Sequence, residues 1–232
     1  AGAVPIYTLG NQIAQDWRRQ RQTLGEDDLR RALTRLLHLP RHRSIPHYRV
    51  LRPLRLEGHT YGRYAVETEA NIRALLSKRL DQPRHAYSLD VEEKQVHLYL
   101  PHLAADEDLS LDSLAQQVAA DHPLYTLDPR GLGQSSPTGA DFLHPYGMDY
   151  MLHGHALLLG ENYLGRRVYD VLRCIDLLVA EGAQKVHLYG RGQGAILALF
   201  SALLHPRVAK IQLKNAPLSF EAWTQAPLVA WP

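Results

Sequence analysis

The chain has 232 residues, 45% hydrophobic and 22% charged, with 16 Gly and 14 Pro, so it can bury a sizeable core and is not a disordered or fibrous chain. One cysteine excludes an internal disulfide framework, a Cys-based zinc site and an iron–sulfur cluster. The net charge is +2 but uneven, with 11 Arg against 5 acids in residues 1–60 and 15 basic against 19 acidic residues beyond. That pattern reads as solvated helix faces and intramolecular pairs, and without interleaved aromatics it offers no nucleic-acid platform.

Two amphipathic helices open the chain, Asn11–Gln22 and Glu26–Leu39. The second carries Leu29, Leu33, Leu36 and Leu37 on one stripe, has three acids in its first turn and ends at Pro40. His47–Leu56 reads as an edge strand broken around Pro53. Tyr61–Glu69 and Asn71–Arg79 are two further strands, and Pro83 closes this first layer. The boundary divides the chain into 1–84, the leading helices and strands, and 85–232, the core.

Beyond it the pattern alternates. Gln95–Leu100 is a buried strand, Leu111–Ala120 a helix, Pro123–Asp128 a strand, and the loop PRGLGQSSP follows. Met148 to Gly182 is mostly helical, with Val168, Val171, Leu172, Ile175, Leu178 and Val179 on one stripe. Lys185–Tyr189 is a strand, Gly190–Gly194 a tight turn, Ala195–Leu204 a buried helix and Val208–Leu213 a last strand. Strands alternating with helices imply a mainly parallel sheet with helices on both faces. The longest nearly apolar run, Ala195–Leu204, falls short of the roughly 20 residues that span a bilayer, so no membrane segment is expected.

The turn GRGQG, Gly190 to Gly194, carries the most information. A strand enters it and an apolar helix leaves it. It is not a phosphate-binding P-loop, because Ala195-Ile196 stands where Lys-Ser or Lys-Thr is needed. Gly190, Gly192 and Ala195 do satisfy G-x-G-x-x-A, so a dinucleotide-binding domain is an alternative. Against it, two parallel strands precede the turn, and the next strand ends in Lys214 and Asn215 instead of an acid. The third device with this geometry is the nucleophile elbow G-x-S-x-G. Here Gly190, Arg191 and Gly194 fit it, and Gly192 stands in the serine's place, where no acyl-enzyme can form.

At these residues the chain resembles the bacterial acetyl-xylan-esterase-like α/β-hydrolases, whose elbow commonly reads G-x-S-Q-G. Gln193 and Gly194 match it. LDPRGLGQSSP, Leu127 to Pro137, resembles the D-x-R-G-x-G-x-S loop of many α/β-hydrolases. LGRRVYDVLRCIDLLVAEG, Leu164 to Gly182, resembles the helix before the elbow, with Arg166 and Asp170 in its R-x-x-x-D pattern. The three motifs cover about Gln95 to Pro217 in the family's order. The resemblance implies an α/β-hydrolase-type fold preceded by an N-terminal helical and β segment, and descent shared with carbohydrate (acetyl) esterases. It also implies a triad order of Ser, Asp, His, with both partners well beyond the elbow. Only 40 residues follow Gly192, and their sole acid and sole histidine, Glu221 and His205, do not fit those places. The expectation is a chain without serine-hydrolase activity and without the family's C-terminal strands. The alternative is an ester hydrolase completed by a further C-terminal part and an unusual nucleophile.

In the implied fold the oxyanion amides come from Gln193 and from the loop after Gln95–Leu100, so His102 and Leu103 are the other candidates. No cofactor is expected. No metal site is expected either, because His153-Gly154-His155 has no carboxylate at ligand spacing. Cys174 reads as an apolar core residue, and Ser135 and Ser136 as loop hydrogen-bonders. A small ester or carbohydrate is the expected ligand. The apolar end, Trp223, Leu228, Val229, Trp231 and Pro232, with an open edge at Val208–Leu213, predicts self-association or pairing with a further C-terminal portion. The residues name no compartment; the family resemblance alone points to an exported or periplasmic one.

Overall fold

The structure, a computed structural model, describes residues 3–41, 44–80, 88–137 and 147–225. Pro83, the 84/85 boundary, Leu228, Val229, Trp231 and Pro232 lie outside the described residues. The chain runs α1 (Ile6–Gln20), α2 (Glu26–Leu36), β1 (Tyr48–Leu56), β2 (His59–Glu69), β3 (Ile72–Leu80), β4 (Gln95–Leu100), α3 (Ala105–Leu111), α4 (Ser113–Asp121), β5 (Leu124–Asp128), α5 (Gly147–Leu158), α6 (Tyr163–Ala180), β6 (Lys185–Arg191), α7 (Gln193–Leu204) and β7 (Val208–Lys214). Short 3-10 turns follow β5 and β7.

All seven strands join one sheet in the order β1-β2-β3-β5-β4-β6-β7. β5, β4, β6 and β7 are parallel, while β1, β2 and β3 form an antiparallel meander that meets β5 antiparallel. Glu57 (φ 48°) and Gly58 (φ 76°) make the two-residue turn between β1 and β2, the left-handed pair that matches strand twist. β1 runs through Pro53 as one strand on the sheet's edge, slipping register between Leu51 and Leu54, which is how an edge strand accommodates proline.

Alternation along the strands divides the core. Leu98, Leu100, Leu127, Val186 and Leu188 face one side, against Val168, Val171, Ile175 and Leu178 of α6 and Leu197 of α7. Tyr99, Leu124 and Tyr189 face the other, against Leu109 of α3 and Leu114 and Val118 of α4. Cys174 is fully buried in the first layer and burial pushes its thiol up, as an apolar core role requires. Among the described residues no helix is long and apolar enough to cross a membrane, and β7 forms the sheet's second edge.

Two expected elements differ. The expected helix Leu111–Ala120 is α4, Ser113–Asp121, and a further helix, α3, precedes it over Ala105–Leu111. Asp112 breaks them by capping the second: its carboxylate accepts from the Leu114 and Ala115 amides at 2.9 and 3.3 Å. α1 starts at Ile6, immediately after Pro5, and not at Asn11.

The second layer also holds a histidine group. His97 of β4 is buried, stacks on His122 at 3.7 Å between centroids and meets His187 of β6 edge-on at 5.2 Å. Its Nδ1 lies 2.9 Å from the Tyr189 hydroxyl. Burial, then the charges of His122, His187 and Lys210, push His97 down to about 4. The unfolded side chain titrates near 6.5, so between pH 6.5 and 4 the unfolded state binds more protons and stability falls on acidification. His97→Gln is expected to flatten that fall by about 3 kcal/mol, read from urea midpoints at pH 7 and pH 4. An unchanged pH slope would remove His97 as its source.

Candidate functional site

The site is built where β6 turns into α7. Gly192 sits at the apex with φ 54° and ψ −115°, left-handed backbone that only glycine adopts cheaply. Its N–H donates to the Lys214 carbonyl at 2.9 Å, seating the apex on the end of β7. The flanking glycines are fixed by close approach. A Cβ on Gly190 would overlap the Gly194 carbonyl, and one on Gly194 would overlap the Leu100 carbonyl. The first turn of α7 therefore lies on the backbone of β4 and β6.

Asp108, buried in α3, organises the groups around the apex. Its carboxylate accepts from the Tyr99 hydroxyl and the His102 amide, each at 3.0 Å, and pairs with Arg191 at 2.6 Å. Burial and then the Asp108 charge push the Tyr99 hydroxyl up, so it stays protonated as the donor. Arg191 also reaches Asp112 at 3.3 Å, which takes Lys214 of β7 at 2.7 Å. Burial works against the Asp112 carboxylate, but the Lys214 and amide hydrogen bonds outweigh it and hold Asp112 below the usual range.

In this network two of the three candidate oxyanion amides have partners within the chain. The His102 amide is spent on Asp108. The Gln193 amide donates to the ring Nδ1 of His102 at 3.2 Å. Burial, then the Arg191 guanidinium, hold that ring below its ordinary range, so it stays neutral and can accept. In the same loop the Leu103 carbonyl accepts from Gly133 at 2.7 Å. An anion arriving at the apex would have to displace the His102 ring to reach the Gln193 amide.

The loop after β5 is tied down separately. Asp128 is buried and accepts from the Ala105 and Gln134 amides, each at 3.0 Å. Burial, against those two hydrogen bonds, pushes its carboxyl up to about 7. Ser135 donates to the Asp128 carbonyl at 2.9 Å, which leaves its hydroxyl a loop brace. Arg130 binds Asp170 of α6 side-on, Nε at 2.9 Å and Nη2 at 2.6 Å, and Glu69 at 3.0 Å. Asp170 is thus the partner of Arg130, while Arg166 turns to Glu69 at 2.8 Å and to Glu161. His205 closes α7 at the end opposite Gly192, about 18 Å along a 12-residue helix, and its Nε2 lies 3.2 Å from Asp176. Glu221 pairs with Arg18 at 3.1 Å. Neither reaches the elbow. The residues that sequence reading missed are Asp108 and Asp112; the acids A-D-E-D at the start of α3 and the Asp before S-L-A were the available signals.

The chain matches no protein-family model and no curated protein. Among solved structures it superposes on a candidate acetyl xylan esterase from Bacteroides fragilis with a TM-score of 0.65, over 91% of this chain and 60% of that one, at 12% sequence identity. Acetyl xylan esterase 1 from Thermoanaerobacterium sp. JW/SL YS485 and the acetyl xylan esterase from Paenibacillus sp. R4 align at TM-scores of 0.46 each. Their identities are 16% and 18%, with 80% and 79% of this chain and 56% of each of theirs covered. This chain spans less than two thirds of the length of these structures. The mixed sheet, its helices and the Bacteroides likeness together give the fold: it is of the α/β-hydrolase type.

Proposed function

We propose that this is a hydrolase-fold protein of carbohydrate-esterase ancestry that binds a small ester or carbohydrate without serine-dependent hydrolysis. The observation that carries the reading is the apex of the elbow. Gly192 brings no hydroxyl to it, and the amide that would receive an oxyanion is held by the His102 ring. An ester carbonyl placed there meets neither a nucleophile nor a free donor pair, the two devices that each lower an acyl-transfer barrier. Retention of both flanking glycines preserves the turn while its chemistry is absent.

The test is hydrolysis of p-nitrophenyl acetate by the purified chain, expected at buffer background. Turnover above that background would overturn the reading, and its loss or survival in Ser135→Ala and Ser136→Ala would place the nucleophile in that loop or elsewhere.

A further inference from the structure

We infer that α1 is a docking helix for a lipid–water interface, lying in the plane of an anionic bilayer surface. At 15 residues it is too short to cross one. The inference begins from packing. No residue of α1 is buried. The helix leans on the 3-10 turn Phe220–Gln225 through half-buried small residues such as Gly10 and Ala14, and the Arg18–Glu221 pair ties it there at 3.1 Å. A helix of this length is marginal in water by itself and gains most of its stability by packing an apolar face.

Such a face is present on α1 and it is bare. At 100° per residue Ile6, Leu9, Ile13 and Trp17 fall within roughly 80° of one another. They are 87%, 47%, 49% and 70% exposed, and Leu218, which shares a groove with Trp17, is wholly exposed. Contiguous apolar surface of this kind marks an interaction site.

Two observations select lipid over protein. A helical partner needs apolar positions that repeat as heptads, but the repeat begun by Ile6, Leu9 and Ile13 continues onto Asp16 and Gln20. A second copy would also bury too little. Five side chains exposing on the order of 100 Å² each bring about 1,000 Å² in all to a pair of copies, under the roughly 1,200–2,000 Å² of stable interfaces. A bilayer surface asks for no repeat. Its requirements are apolar side chains on one side, an aromatic residue at the boundary and cations for the headgroups. Trp17 is followed by Arg18, Arg19 and Arg21. Asp16, the one acid between residues 3 and 25, is held by Arg19, and Glu221 faces Arg18. Arg21 has no ion pair among the described residues, so one cation is left for an anionic headgroup. Nothing in this depends on the chemistry at Gly192.

The test is co-sedimentation of the whole chain with vesicles of phosphatidylcholine alone, or of phosphatidylcholine with phosphatidylserine as a third of the lipid. The mixed vesicles should bind about 5-fold more tightly, the effect of one uncompensated arginine at a charged surface. Binding should move the tryptophan emission to the blue, and Trp17→Phe should remove most of that shift while the chain still sediments with the vesicles. Ile13→Asn should weaken binding by about 5-fold or more. Leu158→Asn, which alters a leucine of α5 that is 86% exposed, should not. No binding to either vesicle, equal binding to both, or an emission shift unchanged in Trp17→Phe would each overturn the inference. So would a dimer in sedimentation equilibrium that Ile13→Asn dissociates, because the stripe would then belong to a second copy. The comparison of the two vesicles on the parent chain decides it without any variant. Esterase turnover would leave it standing.

Discussion

Asp170→Ala is expected to lower the unfolding free energy by about 3–5 kcal/mol, the cost of leaving a buried cation without its partner. Asp170 has no solvent exposure and takes four hydrogen bonds: two from the Arg130 guanidinium, one from the Arg130 amide at 2.9 Å and one from the Thr68 hydroxyl. The alanine variant would strand three donor groups, and the mostly buried Arg130 would keep only Glu69. Such a loss is a large fraction of the 5–15 kcal/mol typical of a domain. Replacing both charges at once, Asp170→Leu with Arg130→Met, should cost less than Asp170→Ala alone, because no unpaired charge then remains. Urea denaturation of the parent and the two variants measures both. A single-variant loss under about 1 kcal/mol would show that the pair is not structural.

The second large effect is Gly194→Ala. The added methyl would occupy the space of the Leu100 carbonyl, a backbone atom that cannot rotate away. To make room α7 must lift off β4, and the expected loss is about 3 kcal/mol or more. Gly154→Ala in α5 is the control. Nothing lies within 4 Å of its Cβ, and exchanging a helical glycine for alanine should stabilise by about 0.5–1 kcal/mol. Opposite signs from the same chemical change, read as thermal midpoints, identify close approach as the cause. A Gly194→Ala variant as stable as the parent would show that α7 does not rest on β4.

The strands and the elbow were legible because their signals are local. QVHLYL is apolar throughout and bounded by Pro101, and β4 is Gln95–Leu100 in the structure as in the sequence reading. The three alternate glycines located the turn to the residue. The network around the turn was hidden because its partners are far apart in sequence. Asp108 meets Arg191, and Arg130 meets Asp170, only after the sheet has formed. The R-x-x-x-D spacing puts Arg166 and Asp170 on one helix face but does not say which cation Asp170 takes. The structure gives that place to Arg130, whose loop passes over the buried side of α6. His102 is the other instance. Sequence reading valued its amide, whereas its ring is the group that reaches the elbow, a matter of side-chain direction that no periodicity records.

The β1–β2–β3 meander bears on how the molecule assembles. Its pairings are between neighbours in sequence, closed by the turns at Glu57-Gly58 and at Ala70-Asn71. Local hairpins of this kind close in microseconds. β4 instead pairs with β6, Gln95 opposite Lys185, across the whole of α3, α4, β5, α5 and α6, a loop whose closure entropy slows folding. The meander is therefore a ready-made template. It reaches the rest of the sheet through the four-residue ladder Leu75–Lys78 against β5, so the parallel half nucleates on an edge that already exists.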